Sequence, residues 1–331
     1  MQFLSDNAAL VHPKLWDAMR AADAVSLPYD GDAASQALDE RFAALFGRDC
    51  AVLWAATGTA ANCLALGAMC PPHGGVLCHR EAHIETDEGG APGFYLHGAK
   101  LLLVEGEGAK VTAETLAAHA DTIRPDVHQV QPHAVSITQA SEYGRVYRPD
   151  EIAAIRALCD ERGWGFHMDG ARFANAAAFL GGDAAEACGQ VDALTFGCVK
   201  NGGLGAEAIV LFDTRLADLV RVRRKRAGHL QSKGRYLAAQ IHAMLDDDLW
   251  LDNARRANAV AAAIGRGAPD RLLHPVEANE VFLTCTAEER ERLREQGFGF
   301  YDWGPDAARF VTAWTAKPED GEQLAAAIAA L

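Results

Sequence analysis

Short apolar runs alternate with amphipathic stretches through the first two thirds of the chain. The runs at 50–55 (Cys50-Ala51-Val52-Leu53-Trp54-Ala55), 75–78, 101–104 (Leu101-Leu102-Leu103-Val104), 134–138, 164–168, 192–197 and 207–212 are brief and mostly apolar. Strands buried on both faces read this way. A helix is expected over 35–46, where Leu38, Phe42 and Leu45 recur at helical spacing, with Ser35 as N-cap and Gly47 as C-cap. After Pro149 the logic repeats: Ile152, Ile155 and Cys159 share a face, and Gly163 closes the helix. This alternation predicts an α/β fold whose large domain holds a mostly parallel seven-stranded sheet flanked by helices.

Near residue 232 the pattern changes. Two long helical stretches, about 232–247 and 248–266, precede strand-like segments near 280–285 and 309–315 and a last helix from about 318. A smaller C-terminal α+β domain is expected. The division is drawn at 1–231, with an N-terminal segment 1–24, and 232–331. No repeat, low-complexity tract or Gly/Ser linker separates the two parts, so close packing is expected. Ligands of open α/β sheets gather at the carboxyl ends of the strands, which directs attention to the loops after the runs above.

Composition narrows the classes. At 331 residues, length fits about two domains of roughly 100–200 residues. Lys and Arg total 31 against 45 Asp and Glu, a net charge of −14. A surface this acidic excludes nucleic acid as the expected partner. A hydrophobic fraction of 50% with 23% charged residues is globular, and excludes disordered and fibrous classes. No apolar run approaches the ~18–20 residues that span a bilayer, so no membrane partner is expected. The segment Met1 to Asn7 lacks the basic region and apolar stretch of a secretory signal. Eight scattered cysteines without a C-x-x-C pair point to a reducing cytoplasm rather than a zinc ribbon or disulfide frame.

Four segments could carry chemistry. Thr57-Gly58-Thr59-Ala60-Ala61-Asn62 follows the first strand at a helix start. Free N–H groups and the helix dipole there suit a phosphate, and Thr59 adds a hydroxyl. An ordinary threonine N-cap is the competing account. His83 lies in an acidic loop after the second strand. It could stack on a flat ring or move a proton, stand on the surface, or join Glu85 and Asp87 around a metal. The metal account is the weaker, because the other histidines are dispersed and no H-E-x-x-H occurs. In His167-Met168-Asp169-Gly170-Ala171-Arg172 an aspartate ends an apolar strand. It either pairs with Arg172 or faces a protonated ring nitrogen such as that of pyridoxal phosphate. Lys200, in Val199-Lys200-Asn201-Gly202-Gly203, ends another strand before glycines. It is either a solvated loop lysine or a desolvated nucleophile. Taken together and in order, at strand ends, these segments read as a pyridoxal phosphate site with no metal.

The same segments resemble a known family, the fold-type I pyridoxal-phosphate enzymes of the L-threonine aldolase group, and most closely its low-specificity, or phenylserine, aldolases. The resemblance runs through Ser5-Asp6-Asn7, Tyr29 to Asp32, Thr57 to Asn62, Ala82 to Glu88, Ser136 to Glu142, His167 to Arg172, Lys200-Asn201-Gly202 and Pro275 to Asn279. It implies that Lys200 forms the Schiff base, Asp169 pairs with the pyridine nitrogen, and His83 stacks on the ring facing the substrate hydroxyl. It implies that Gly58 and Thr59 hold the phosphate, and that Arg172 and Arg309 bind the amino-acid carboxylate with Ser5 nearby. Lys225 matches a lysine that reaches the phosphate from a neighbouring subunit, which implies homodimers or homotetramers with shared sites. Many threonine aldolases carry histidine where this chain has Glu142, although the low-specificity branch carries glutamate. The acceptor of the β-hydroxyl proton is then His83, or a water held by His83 or Glu142. Many members also read Tyr-Gly-Asp-Asp where this chain has Tyr29-Asp30-Gly31-Asp32. The implied reaction on this small-molecule amino-acid substrate is retro-aldol cleavage of L-threonine, L-allo-threonine or a related L-β-hydroxy-α-amino acid such as phenylserine to glycine and an aldehyde. Another reaction of the same cofactor (β-elimination, transamination or racemisation) and a non-catalytic amino-acid- or phosphate-binding relative are the alternatives.

Overall fold

The computed structural model describes Met1–Leu331. Its main sheet has seven strands: β1 (Ala51–Ala55), β2 (Gly75–His79), β3 (Lys100–Val104), β4 (Pro132–Thr138), β5 (Gly165–Gly170), β6 (Ala193–Gly197) and β7 (Glu207–Leu211). Their order across the sheet is β1-β7-β6-β5-β4-β2-β3. All seven expected runs form strands, and every residue of β1, β2, β6 and β7 is buried. Helices cover both faces. One face packs Phe42, Phe166, Phe173, Phe196 and Trp250 into a common core. The other seats the helix Gly58–Met69 on Leu53, Ile209 and Leu211.

The five strands from β6 to β3 run parallel, whereas β7 runs antiparallel to both its neighbours. This reversal matters for the site. Glu207, at the amino end of β7, lies level with Gly197 and Ala55, at the carboxyl ends of β6 and β1. A residue that begins its strand thus reaches the edge where the other strands finish.

The helix expected over 35–46 is two, Ala33–Gln36 and Leu38–Phe46. Ser35 is not the cap: Asp32 caps the first helix, accepting from the Ser35 N–H (2.9 Å) and hydroxyl (2.7 Å). The carboxylate has more acceptor capacity than a hydroxyl and starts the helix earlier. Gly47 and Gly163 close their helices in the left-handed conformation, as expected.

A second sheet, β8 (Glu280–Thr284), β9 (Tyr301–Asp302) and β10 (Ala307–Val311), is antiparallel in the order β8-β10-β9. The strand expected over 309–315 ends early at Val311, after which Thr312 turns its hydroxyl onto the carbonyl of Ala257 (2.7 Å). Phe3, Phe298, Phe300, Phe310 and Leu324 form its core. The N-terminal segment divides between the two cores, Phe3 joining this one and Leu15 the larger. Phe3 is stitched in by its N–H to Gly299 (2.7 Å) and its carbonyl to the Val311 N–H (2.8 Å).

Candidate active site

A cavity of about 360 Å³ opens at the carboxyl edge of the main sheet, lined by Gly58, Thr59, Asn62, His83, Glu88, Asp169, Lys200 and Glu207 among others. That volume lies at the small end of the ~300–1,000 Å³ typical of small-molecule sites. Larger hollows beside Phe94 and beside Trp314 are surface features without this convergence of amine, carboxylate and imidazole.

The helix that starts at Gly58 is capped by Thr57, whose hydroxyl accepts from the Ala60 N–H (3.2 Å). The cap account therefore falls on Thr57, and the hydroxyl of Thr59 is left over. A Cβ built on Gly58 would meet nothing within 4 Å. Open space above a helix start with unpaired N–H groups is what a phosphate requires.

Asp169 is 2% exposed. It is not paired with Arg172. Its oxygens accept from the Asn62 amide (2.8 Å) and the Ala171 N–H (2.9 Å). Both donors are neutral, and no cationic side chain bonds it. Beneath it, His167 bonds Ser136 (2.9 Å) and is pushed down to about 4 by burial, so it is neutral and structural.

Glu88 buries its side chain completely and holds the Nδ1 of His83 at 3.0 Å. A carboxylate accepts only, so Nδ1 donates and Nε2 is the free nitrogen. The bond to Glu88 raises the imidazole above its ordinary value despite burial. Glu85 and Asp87 are exposed and take no part. His83, Glu88 and Asp169 each bring one ligating atom to within 4.8 Å of the others. The Asn62 amide donates to both carboxylates (3.0 and 2.8 Å), and a cation there would have to displace it.

Glu142 accepts from the His83 backbone N–H and from Thr138, both at 2.8 Å, through one oxygen. Its other oxygen is buried without a partner. Burial pushes this carboxyl up to about 7.

Lys200 lies in the single turn Val199–Asn201. Asn201 is clamped by the Trp250 carbonyl (2.8 Å) and the Asn253 amide (2.9 Å), and Gly202 follows at φ 106°, where a side chain would be strained. Glu207 accepts from the Cys198 N–H at 2.5 Å, bracing the turn from below. Burial, then Arg172, lowers the amine of Lys200 from its ordinary value. It is therefore not a freely solvated loop lysine, and the shift is toward the free base. Burial also pushes Glu207 up to about 7.

Arg172 and Arg309 meet on the side toward the second sheet. Arg172 donates to Asp6 (2.8 and 3.1 Å), and Arg309 to Glu280 (3.2 and 2.6 Å). Ser5 lies beside Asp6, with its hydroxyl accepting from the Asn7 N–H (3.2 Å). Lys225 is not brought to the cavity within this chain. It is exposed, with its ammonium 4.9 Å from the centre of the Tyr29 ring. The Tyr29-Asp30-Gly31-Asp32 segment has structural duties: Asp30 pairs with the buried Arg224, and Asp32 caps its helix.

Asn62, Glu88, Glu207, Asp6 and Glu280 had no role in the sequence reading. Glu88 and Asn62 fall inside segments that carry the resemblance and could have been found there. Glu207 needed the direction of β7, and Asp6 and Glu280 needed their long-range contacts with Arg172.

The family model described as beta-eliminating lyase matches residues 2–288. A low-specificity L-threonine aldolase of Pseudomonas sp. (strain NCIMB 10558) is 43% identical, covering 100% of this chain and 97% of its own length. One from Pseudomonas aeruginosa is 44% identical over 98% of this chain and 96% of its own. Among solved structures, a threonine aldolase of Leishmania major superposes with a TM-score of 0.93 at 25% identity, covering 99% of this chain and 98% of that one.

Proposed function

The chain belongs to the beta-eliminating lyase family and, within it, to the low-specificity L-threonine aldolases, and from that membership we propose how its cleft works. The enzyme is a carbon–carbon lyase that splits an L-β-hydroxy-α-amino acid (L-threonine, L-allo-threonine or a relative such as phenylserine) into glycine and an aldehyde. The observation that carries the reading is the shared cavity of Lys200, Asp169 and the open helix start at Gly58.

Pyridoxal 5'-phosphate fits this donor set, and when bound it condenses with an amine and supplies an electron sink next to Cα. Lys200, kept nucleophilic by its surroundings, is the amine that holds it. Asp169 offers a buried carboxylate to a protonated ring nitrogen. Gly58 and Thr59 would take the phosphate, and His83 would stack on the ring. Arg172 and Arg309, with Ser5 beside them, orient the substrate carboxylate. Orientation selects which bond at Cα lies in line with the sink and therefore breaks.

In cleavage the Cα–Cβ bond breaks, its electron pair stays with Cα, and the β-hydroxyl gives up a proton as the aldehyde forms. His83 Nε2 takes that proton directly or through a water held by His83 or Glu142, whose carboxylate accepts from the His83 backbone N–H. Cα then gains a proton, and glycine leaves. The chain acts as a homodimer or homotetramer in which Lys225 reaches a neighbour's phosphate. No helix is long and apolar enough to cross a membrane, and eight buried free cysteines support a cytoplasmic setting.

The test is a product assay on L-threonine, L-allo-threonine and L-phenylserine, with and without added coenzyme. Glycine with acetaldehyde or benzaldehyde is expected. A keto acid or a D-amino acid as main product overturns the reading.

A further inference from the structure

Glu280 opens β8, and its side chain is fully out of solvent. Its Oε1 accepts from Arg309 at both Nε (3.2 Å) and Nη2 (2.6 Å). Its Oε2 makes no hydrogen bond and faces Arg172 Nη1 at 3.5 Å. Arg172 has committed Nε and Nη2 to Asp6, and Asp6 is fixed from the other side by Asn279, the neighbour of Glu280, at 3.0 Å. The result is a row of alternating charge, Asp6, Arg172, Glu280, Arg309, of which the first three are 2%, 9% and 2% exposed. Both guanidinium groups are engaged through Nε and Nη2, and neither Nη1 makes a hydrogen bond.

We propose that Glu280 is the positioning residue of the carboxylate grip: by contacting both arginines it fixes the distance and angle between them, and so decides which bond at the substrate Cα is presented for cleavage. This rests on the aldolase reading above. An arginine side chain has many rotamers, and one free to swing would hold a carboxylate in many poses. A buried carboxylate touching two arginines removes that freedom before substrate arrives, which is preorganisation. The arrangement is also costly if its purpose were attraction. Asp6 and Glu280 cancel the two guanidinium charges, so the row draws a substrate anion less strongly than bare arginines would. Rigidity is what the carboxylates add.

The sign of the effect separates the two roles. If Glu280 only tempered charge, Glu280→Gln would strengthen the pull on the substrate carboxylate and lower KM. If it positions, Glu280→Gln and the charge-preserving but shorter Glu280→Asp both loosen the grip. Each variant holoenzyme should then show a KM for L-threonine ~10–100-fold higher, on the scale of a misplacement of about 1 Å. Each should also exchange the α-proton of glycine in deuterated buffer, followed by NMR, faster relative to threonine cleavage, because the wrong bond is now aligned. Should one variant fail to fold, the other carries the same two readouts. A lower KM in Glu280→Gln, unchanged KM, or a higher KM with an unchanged ratio of exchange to cleavage overturns the proposal. Absence of cleavage by the wild-type holoenzyme would sink the aldolase reading instead, and weaker glycine binding by the variants would still test Glu280.

Discussion

The two ends of the cleft are built in opposite ways. At the coenzyme end, Gly58, Thr59, Asp169 and Lys200 follow or finish β1, β5 and β6, strands of one sheet that deliver their residues to one edge. Each functional group comes with its own local frame: a capped helix start, a strand terminus, a clamped turn. At the arginine end nothing is local. Asp6 comes from the first turn, Arg172 from the loop after β5, and Glu280 and Arg309 from neighbouring strands of the second sheet. The first end uses the backbone to place groups and neutral donors to hold them. The second uses side chains held by opposite charge. In the function proposed above, the coenzyme end supplies the chemistry and the arginine end selects what it acts on.

Substitutions can pull the two ends apart. The largest effect is expected from Lys200→Ala, which should abolish turnover and the visible absorption of bound coenzyme while leaving the ion pairs of the arginine end in place. Normal activity in that variant, assayed after coenzyme loading, would remove Lys200 from its role. Next, His83→Asn should lower cleavage by ~10²–10⁴ while the coenzyme absorption persists. If titration showed weaker coenzyme binding and no slower cleavage, the imidazole would be a support and not a proton acceptor.

The smallest effect is on stability and concerns Glu207, the carboxylate carried to the edge by the reversed strand. Its folded value of about 7 lies above the ordinary 4.5, because burial disfavours the charge. A raised carboxyl contributes stability below ~4.5 that is lost as pH climbs through ~7, the unfolded chain giving up the proton first. Glu207→Gln keeps an acceptor for the Cys198 N–H and removes the titration. It should therefore be more stable than wild type by up to ~3 kcal/mol at pH ~8 and nearly equal at pH ~5. Denaturant unfolding at the two pH values measures this, and equal stability at both would show that Glu207 is already charged without penalty.

The sequence carried the coenzyme end far better than its partners. The seven strands were legible because parallel strands buried on both faces are unbroken apolar runs. Lys200, Asp169 and Thr59 were legible because strand, turn and reactive group are contiguous. The direction of β7 left no mark, since an antiparallel strand buried on both sides is equally apolar, and Glu207 was lost with it. Ser35 misled because a hydroxyl in cap position looks the same whether it caps or is itself held by Asp32. Arg172 was visible, but its pairing with Asp6 and Glu280 was not, because both lie far from it in the chain. Glu280 follows directly on a segment that carried the resemblance, and nothing in its neighbours distinguishes it from a surface glutamate.

The threading of Phe3 between Gly299 and Val311 has a temporal consequence. At ~5–20 residues per second, ~15–60 s of ribosomal synthesis separate Asp6 from Arg309. The strands and turns around Lys200 emerge in that interval, whereas the second sheet cannot close on the first residues until its last strand exists. The contact of Phe3 with Gly299 and Val311 is therefore among the last to form as the polypeptide is made.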